Sequence, residues 1–402
     1  MKWASAIARQ RSGKQTLEEL FEAAAEQIKE QLGNSPCDLL FCFISPDFVG
    51  ESEKVAGLAE KTLNAKKLVG CTAGGIIGGG IELEQVAAIS LSAAFLPDVK
   101  IEMFHVEDDE LPDMDAPPQK WEELVHSNSA EMPDFVLLPD PFSFRIEALV
   151  QGLDYAFPAA TKVGGLASGA HQPGKNRLYL NENVFKTGAV GLALSGNIVV
   201  ETIVAQGCRP VGRTFRVSKC QNNVLLELDG KPAVQALYEV LEGMSPKDQQ
   251  LAKYSLFLGV VMDEFKEDFR PGDFLIRNIL GLEPSSGALL VGELLRNERT
   301  IQFHLRDADT SSDDLRHLLK QYKEEHEGMP EGALLFSCLG RGEHLYGTAN
   351  HDSDCFKTYL GEIPLSGFFC NGEIGPVAGT TFLHGYTSSF GLFRTKSNGS
   401  QE

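Results

Sequence analysis

Two short segments hold the residue types that could do chemistry. The first is Phe336-Ser337-Cys338-Leu339-Gly340-Arg341-Gly342, which follows an apolar run that reads as a buried strand. Ligands of open α/β sheets bind beyond the carboxyl ends of the strands, and this segment stands at such an end. Arg341, flanked by Gly340 and Gly342, can offer its planar guanidinium fork to a carboxylate. The second segment is Asn371-Gly372-Glu373-Ile374-Gly375, which sets an amide, a carboxylate and backbone N–H groups in one short loop. An α-amino acid needs an anion site for its carboxylate and an acid for its ammonium, and Arg341 with Glu373 could fill those roles. The competing expectation is an Arg341–Glu373 pair that only ties the two segments together. Both segments belong to glycine-rich surroundings, because Pro364 to Arg394 contains six glycines among apolar runs. Such a stretch builds a shaped pocket rather than plain core. Phe369 and His384 lie in it and complete the expected ligand-binding set.

Cys338 stands close to Arg341, and a neighbouring guanidinium lowers a thiol pKa and makes it reactive. The plainer alternative is a small buried residue at a strand end. A hydrolase built from Cys338 and His384 would also need an orienting acid and an oxyanion hole. No acyl-transfer signature is present, so no catalytic residue is expected. Nine histidines are scattered without an HExxH or clustered pattern, and no metal site is expected. The loop Gly70-Cys71-Thr72-Ala73-Gly74-Gly75 lacks the GK[ST] ending of a phosphate cradle, and its spacing does not fit a dinucleotide fingerprint. Its glycines read as tight turns between strands.

A net charge of −20 and a pI near 4.9 argue against nucleic acid and against anionic membrane surfaces. The eight cysteines form no CxxC pair, which suits reduced and mostly buried thiols. The start of the chain, MKWASAIARQRSGKQ, has too short an apolar stretch for a signal peptide, and no run reaches membrane-spanning length. The expected location is cytoplasmic.

Positioning these residues requires strands and helices in a repeating order. Thr16 and Glu19 form a capping box before a helical pattern of Leu17, Leu20, Phe21, Ala24, Ile28 and Leu32. A buried strand at Asp38–Ile44, a helix at 51–65 and a short strand then enter the first glycine loop. The order recurs from Phe135, with a glycine loop at Leu166–Gly174, and again from Ala333. In each copy the first strand precedes its glycine loop by roughly 30–35 residues. Each copy is expected to close with a hairpin, such as Val86–Ala94 with Ile101–Val106, or Gly188–Leu194 with Ile198–Gln206. A fourth, incomplete copy is expected from Tyr254. The resulting fold class is α/β, with repeated β-α-β-β units and mixed sheets.

Leu365-Ser366-Gly367-Phe368-Phe369, Asn371-Gly372-Glu373-Ile374-Gly375-Pro376 and Leu383-His384-Gly385-Tyr386-Thr387 together resemble the C-terminal FIST module. Cys338-Leu339-Gly340-Arg341-Gly342 is similar to a Cys-x-Gly-Arg-Gly signature of the same family. Val69 to Gly78 resembles the N-terminal FIST module. The capped helical pattern gives an N-terminal helix over 1–36 as part of the first module, and the residues at 395–402 read as a disordered tail. The resemblance implies two modules flanked by helices and packed face to face at 37–230 and 231–394. It also implies a cytosolic sensor of signal transduction that takes a small ligand, amino acids among them, in its C-terminal module. A sensor with no output domain acts through a protein partner. One branch of the family binds haem and senses nitric oxide, with His384 or His171 as the available axial residue. Haem and a thiol enzyme using Cys338 are therefore the alternatives to a protein without a cofactor.

Overall fold

The computed structural model describes residues 1–11, 15–266, 268–270 and 272–396. Of the tail expected at 395–402, residues 397–402 lie outside the described residues. The chain divides into two compact units. Of the described residues, one comprises those within 1–204, 316–383 and 387–396; the other comprises those within 205–315 and 384–386. The first unit uses both ends of the chain.

The first unit holds three copies of one motif. In the first copy, the capping box of Thr16 and Glu19 starts helix Leu17–Leu32. The parallel strands Leu39–Ile44 and Leu68–Thr72 follow, joined through helix Val55–Leu63. A hairpin, Gly75–Gly78 with Ile81–Glu84, and a return strand, Ala88–Phe95, complete it. The second copy repeats this with Asp134–Pro139 parallel to Lys162–Gly165 around helix Ile146–Ala156. The third does so with Gly332–Cys338 parallel to Leu365–Cys370 around helix His351–Leu360. In every copy the return strand runs antiparallel to the first parallel strand.

The strand pairings correct two expectations. Residues 2–9 are not part of a helical start: Lys2–Arg9 is an edge strand against Ala88–Phe95. The expected closing hairpins do not form either. Ala88–Phe95 stays in the first sheet, while Val99–Val106 pairs with Ala189–Gly196 in the second. Val199–Ala205 in turn lies beside Ser388–Arg394 in the third. Each turn hands the chain from one sheet to the next. The hairpins that do form are also exchanged: that of copy one joins the third sheet, that of copy two the first, and that of copy three the second. All three sheets thus have six strands in the same order, and the exchange closes on itself.

Alternation along the parallel strands explains the core. Phe41, Phe43, Val136, Leu138, Leu334 and Phe336 point to one shared interior, where Trp3 stacks on Phe393 with ring centroids 4.3 Å apart. Fully burying side chains of this size contributes roughly 1.5–3 kcal/mol each. The residues between them face the outer helices, as Leu40 and Cys42 do toward helix Leu17–Leu32.

The second unit is a seven-stranded sheet with its own apolar cluster under helix Ala233–Glu242. It is not a fourth copy of the motif, because Leu256–Val261 runs antiparallel to both Phe274–Glu283 and Thr300–Arg306. Among the described residues no helix is long and apolar enough to cross a membrane.

Candidate functional site

Each copy's second parallel strand runs into a glycine loop, at 70–75, 164–169 and 367–372. The first glycine of each is dictated by backbone approach. A Cβ at Gly70, Gly164 or Gly367 would overlap the carbonyl oxygen of Cys42, Leu137 or Leu335, its register partner on the neighbouring strand. Only glycine allows two backbones so close.

The three loops then meet. Gly75 packs against Phe369, Gly169 against Thr72, and Gly372 against Leu166, so each loop's last glycine receives the third residue of another loop. Hydrogen bonds knit the same contacts. The N–H groups of Ser168 and Gly169 both donate to Thr72 O at 3.2 Å, and Leu166 N donates to Gly372 O at 2.9 Å. Ser168 Oγ accepts from Gly74 N at 2.9 Å and donates to the carbonyl of Phe369.

A cleft of about 490 Å³ opens at this convergence. The loops contribute Gly74, Gly75, Ser168, Gly169 and Phe369 to its wall. Ser45 and Leu339 come from just past strand ends, Asp47 from the short helical segment Pro46–Lys54, Glu84 from the exchanged hairpin of copy one, and His171 follows the second loop. Glu84 is held in place by Glu343 N, which donates to its Oε1 at 2.7 Å.

The residues expected to bind a ligand fall into two groups. Phe369 lines the cleft, and Gly372 and Asn371 belong to its converging loop; Asn371 donates to Leu166 O from its backbone and to Ala167 O from its side chain. Cys338 ends its strand half-buried, its sulfur accepting from Gly340 N at 3.5 Å. Gly375 lies in the strand Glu373–Val377 against Ser389. His384 is buried and groups with the second unit.

Arg341 and Glu373 correct the expected pairing. Arg341 is fully buried and bonds Asp352 through two nitrogens, Nε to Oδ2 at 2.9 Å and Nη2 to Oδ1 at 3.1 Å. Glu373 is also fully buried, accepting from Thr387 N at 3.0 Å and from the Cys370 thiol at 3.3 Å. A guanidinium and a carboxylate bound this way are not presented to a ligand. Sequence reasoning offered only Glu373 as an acid for Arg341, whereas helix His351–Leu360 brings Asp352 under it.

Asp352 is the hub of a buried network that sequence reasoning missed. Ser337 and Ser388 donate to it from two adjacent strands, and His351 Nδ1 lies 3.0 Å from its Oδ1. Burial alone would raise the Asp352 carboxyl, but Arg341 and these hydrogen bonds hold it well below the usual range. Burial would lower His351, yet Asp352 and Cys355 raise it to about 9. Glu82, on the exchanged hairpin, accepts from Ser353 N at 2.7 Å. Burial, reinforced by the charge of Asp352, pushes Glu82 up to about 7.

The sign of the Glu82 shift gives a testable pH effect. A carboxyl raised on folding favours the folded state below its ordinary value of 4.5, and that contribution is lost as pH rises toward 7. Gln in its place keeps the acceptor and removes the buried charge. Glu82→Gln is therefore expected to stabilise the protein at pH 8 by roughly 1–3 kcal/mol and to change it little at pH 5. Thermal melts at the two pH values check this; equal shifts at both would contradict it.

Among the described residues no three His, Cys, Asp or Glu side chains are arranged to hold a metal ion. His171, one of the two residues considered for haem, is exposed at the cleft.

Residues 38–231 match the FIST N domain, and residues 233–376 match the FIST C domain. An uncharacterized protein of Mycobacterium tuberculosis is 36% identical over 92% of this chain and 95% of its own length. An uncharacterized protein of Mycobacterium bovis is 33% identical over 92% of this chain and 94% of its own. Human F-box only protein 22 is 30% identical over 26% of this chain and 24% of its own. A cyanuric acid hydrolase from A. caulinodans aligns along 98% of this chain and 99% of its own, at a TM-score of 0.31 and 8% identity. The two domain matches run consecutively along most of the sequence, and the chain belongs to the FIST family.

Proposed function

We propose that the protein is a small-ligand-binding component of signal transduction and that the cleft at the three converging loops takes the ligand. The cleft itself carries this reading. Its volume falls in the range of about 300–1,000 Å³ typical of small-molecule sites. Its wall combines apolar Phe369 and Leu339 with a few polar groups from different elements. Asp47 and Glu84 favour a cationic group, and His171 with the glycine-loop backbone offers partners to a carboxylate. An amino acid presents both. The ammonium role expected of Glu373 passes in this reading to Glu84, and the output passes to a protein partner that recognises the liganded surface.

A ligand that binds only the folded protein raises its melting temperature. A panel of the twenty amino acids, each added in excess to the full chain, should include at least one that raises it by several degrees. No rise with any of them would remove the amino-acid assignment.

A further inference from the structure

The fold places two cysteines where it does not need them. Cys338 and Cys370 are register partners on adjacent parallel strands, the last residue of each strand. Adjacent strands lie about 4.8 Å apart, within the Cα separation that a disulfide spans. The repeated motif supplies the comparison. Register puts Ser45 beside Ala73 in the first copy and Asp140 beside Ala167 in the second, one residue past Ile44 beside Thr72 and three past Leu137 beside Gly164. The corresponding backbone bonds recur: Ser45 N donates to Ala88 O, Asp140 N to Gly188 O, and Cys338 N to Thr387 O. Only the third copy has sulfur at both places, so sheet geometry alone does not call for the pair.

The two sulfurs also differ in setting. Cys338 is half-buried and Cys370 fully buried, with its thiol donating to Glu373 Oε1 at 3.3 Å. We propose that Cys338 and Cys370 are a reversible two-electron redox pair, oxidised to a disulfide by a hydroperoxide. Cys338 loses its thiol proton and its thiolate attacks the distal peroxide oxygen; the O–O bond breaks, the departing alkoxide or hydroxide takes up that proton and leaves as alcohol or water, and Cys338 becomes a sulfenic acid. The Cys370 thiol gives its proton to Glu373, and its sulfur attacks the Cys338 sulfur. The S–O bond breaks, and the departing hydroxide takes that proton as water. The hydroperoxide is thereby reduced by two electrons, and the two thiols are oxidised to one disulfide.

Leu339 and Phe369, each one residue from the pair, line the cleft. On the function proposed above, the cross-link would alter ligand affinity. The cross-link itself is scored without any ligand, so the two ideas fail separately.

The test treats the reduced full chain with hydrogen peroxide, counts thiols after denaturation and maps the linked peptides by mass spectrometry. The expected result is loss of two of the eight thiols, recovered with dithiothreitol, and a peptide linking residues 338 and 370. Cys370→Ala, which installs the residue of the other two copies, should accumulate a Cys338 sulfenic acid that dimedone captures. Cys338→Ser, the residue of the first copy, should leave Cys370 reduced. Thiol loss without the linked peptide, or oxidation of Cys338 at the same rate and to the same product in wild type and Cys370→Ala, would overturn the proposal. The mapping on wild type decides the matter even if a variant folds poorly.

Discussion

Asp352→Ala should destabilise the protein by about 3–5 kcal/mol, the range seen when one partner of a buried ion pair is removed. Asp352 and Arg341 are both essentially inaccessible to water, and among the described residues no second carboxylate lies within ion-pair distance of Arg341. Its Nη1 already lacks a hydrogen-bond partner. Removing Asp352 leaves the guanidinium charge uncompensated and strands the hydroxyls of Ser337 and Ser388. Chemical denaturation of wild type and variant measures the loss, and a loss under 1 kcal/mol would mean the network is dispensable. The same network has a pH signature. Asp352, depressed on folding, contributes stability above its ordinary value of 3.8 that is lost only as pH falls far below it. His351, raised to about 9 from an ordinary 6.5, contributes stability below 6.5 that is lost as pH climbs through 9. Wild type should therefore weaken as pH rises from 6.5 to 9, and Asp352→Ala should weaken less steeply over that interval.

Gly164→Ala should cost about 4 kcal/mol or more, the size of effect that marks a backbone collision rather than a lost contact. The new methyl would overlap the carbonyl of Leu137, also touching its C and N atoms, and no rotamer relieves a clash with backbone. The parallel ladder between Asp134–Pro139 and Lys162–Gly165 would have to open. Gly57→Ala is the control. It lies within helix Val55–Leu63 with no atom in the way of its Cβ, and helix propensity predicts a gain of roughly 0.5–1 kcal/mol. Similar effects at the two positions would refute the account of the glycine loops.

The repeat was legible because its parts are local. Helices showed 3.6-residue spacing, strands showed apolar runs, and glycine loops recurred at one interval. Sheet membership was not local. The turn at Leu96–Asp98 has every feature of a hairpin, with Asp98 at φ 60°, yet its two strands enter different sheets. Nothing in the flanking residues distinguishes a strand that pairs with its neighbour from one passed to another copy. The strand Lys2–Arg9 was missed for a related reason, since WASAIA carries little β-branched character and gains its place only by pairing with Ala88–Phe95.

The site was half legible. Arg341 and Glu373 stood out by type and glycine context, and the helix between them was legible over Asp352–Leu360, but nothing in the spacing showed that its first turn places Asp352 under Arg341. The cleft was signalled by the glycine loops at 70–75 and 166–174, of which the first reads from sequence as tight turns between strands and the second as a repeat of it. Their convergence depends on three segments from distant parts of the chain. Glu84 carried no motif at all; it reaches the cleft because its hairpin is lent to the third sheet.

The most direct test of ligand binding at the three-loop cleft is a calorimetric titration. The amino acid that most raises the melting temperature is titrated into wild type and into Glu84→Gln. Saturable one-site binding to wild type, weakened at least tenfold in Glu84→Gln with its melting temperature unchanged, is the predicted result. Equal affinity in both proteins would place the ligand elsewhere and contradict the assignment of the cleft.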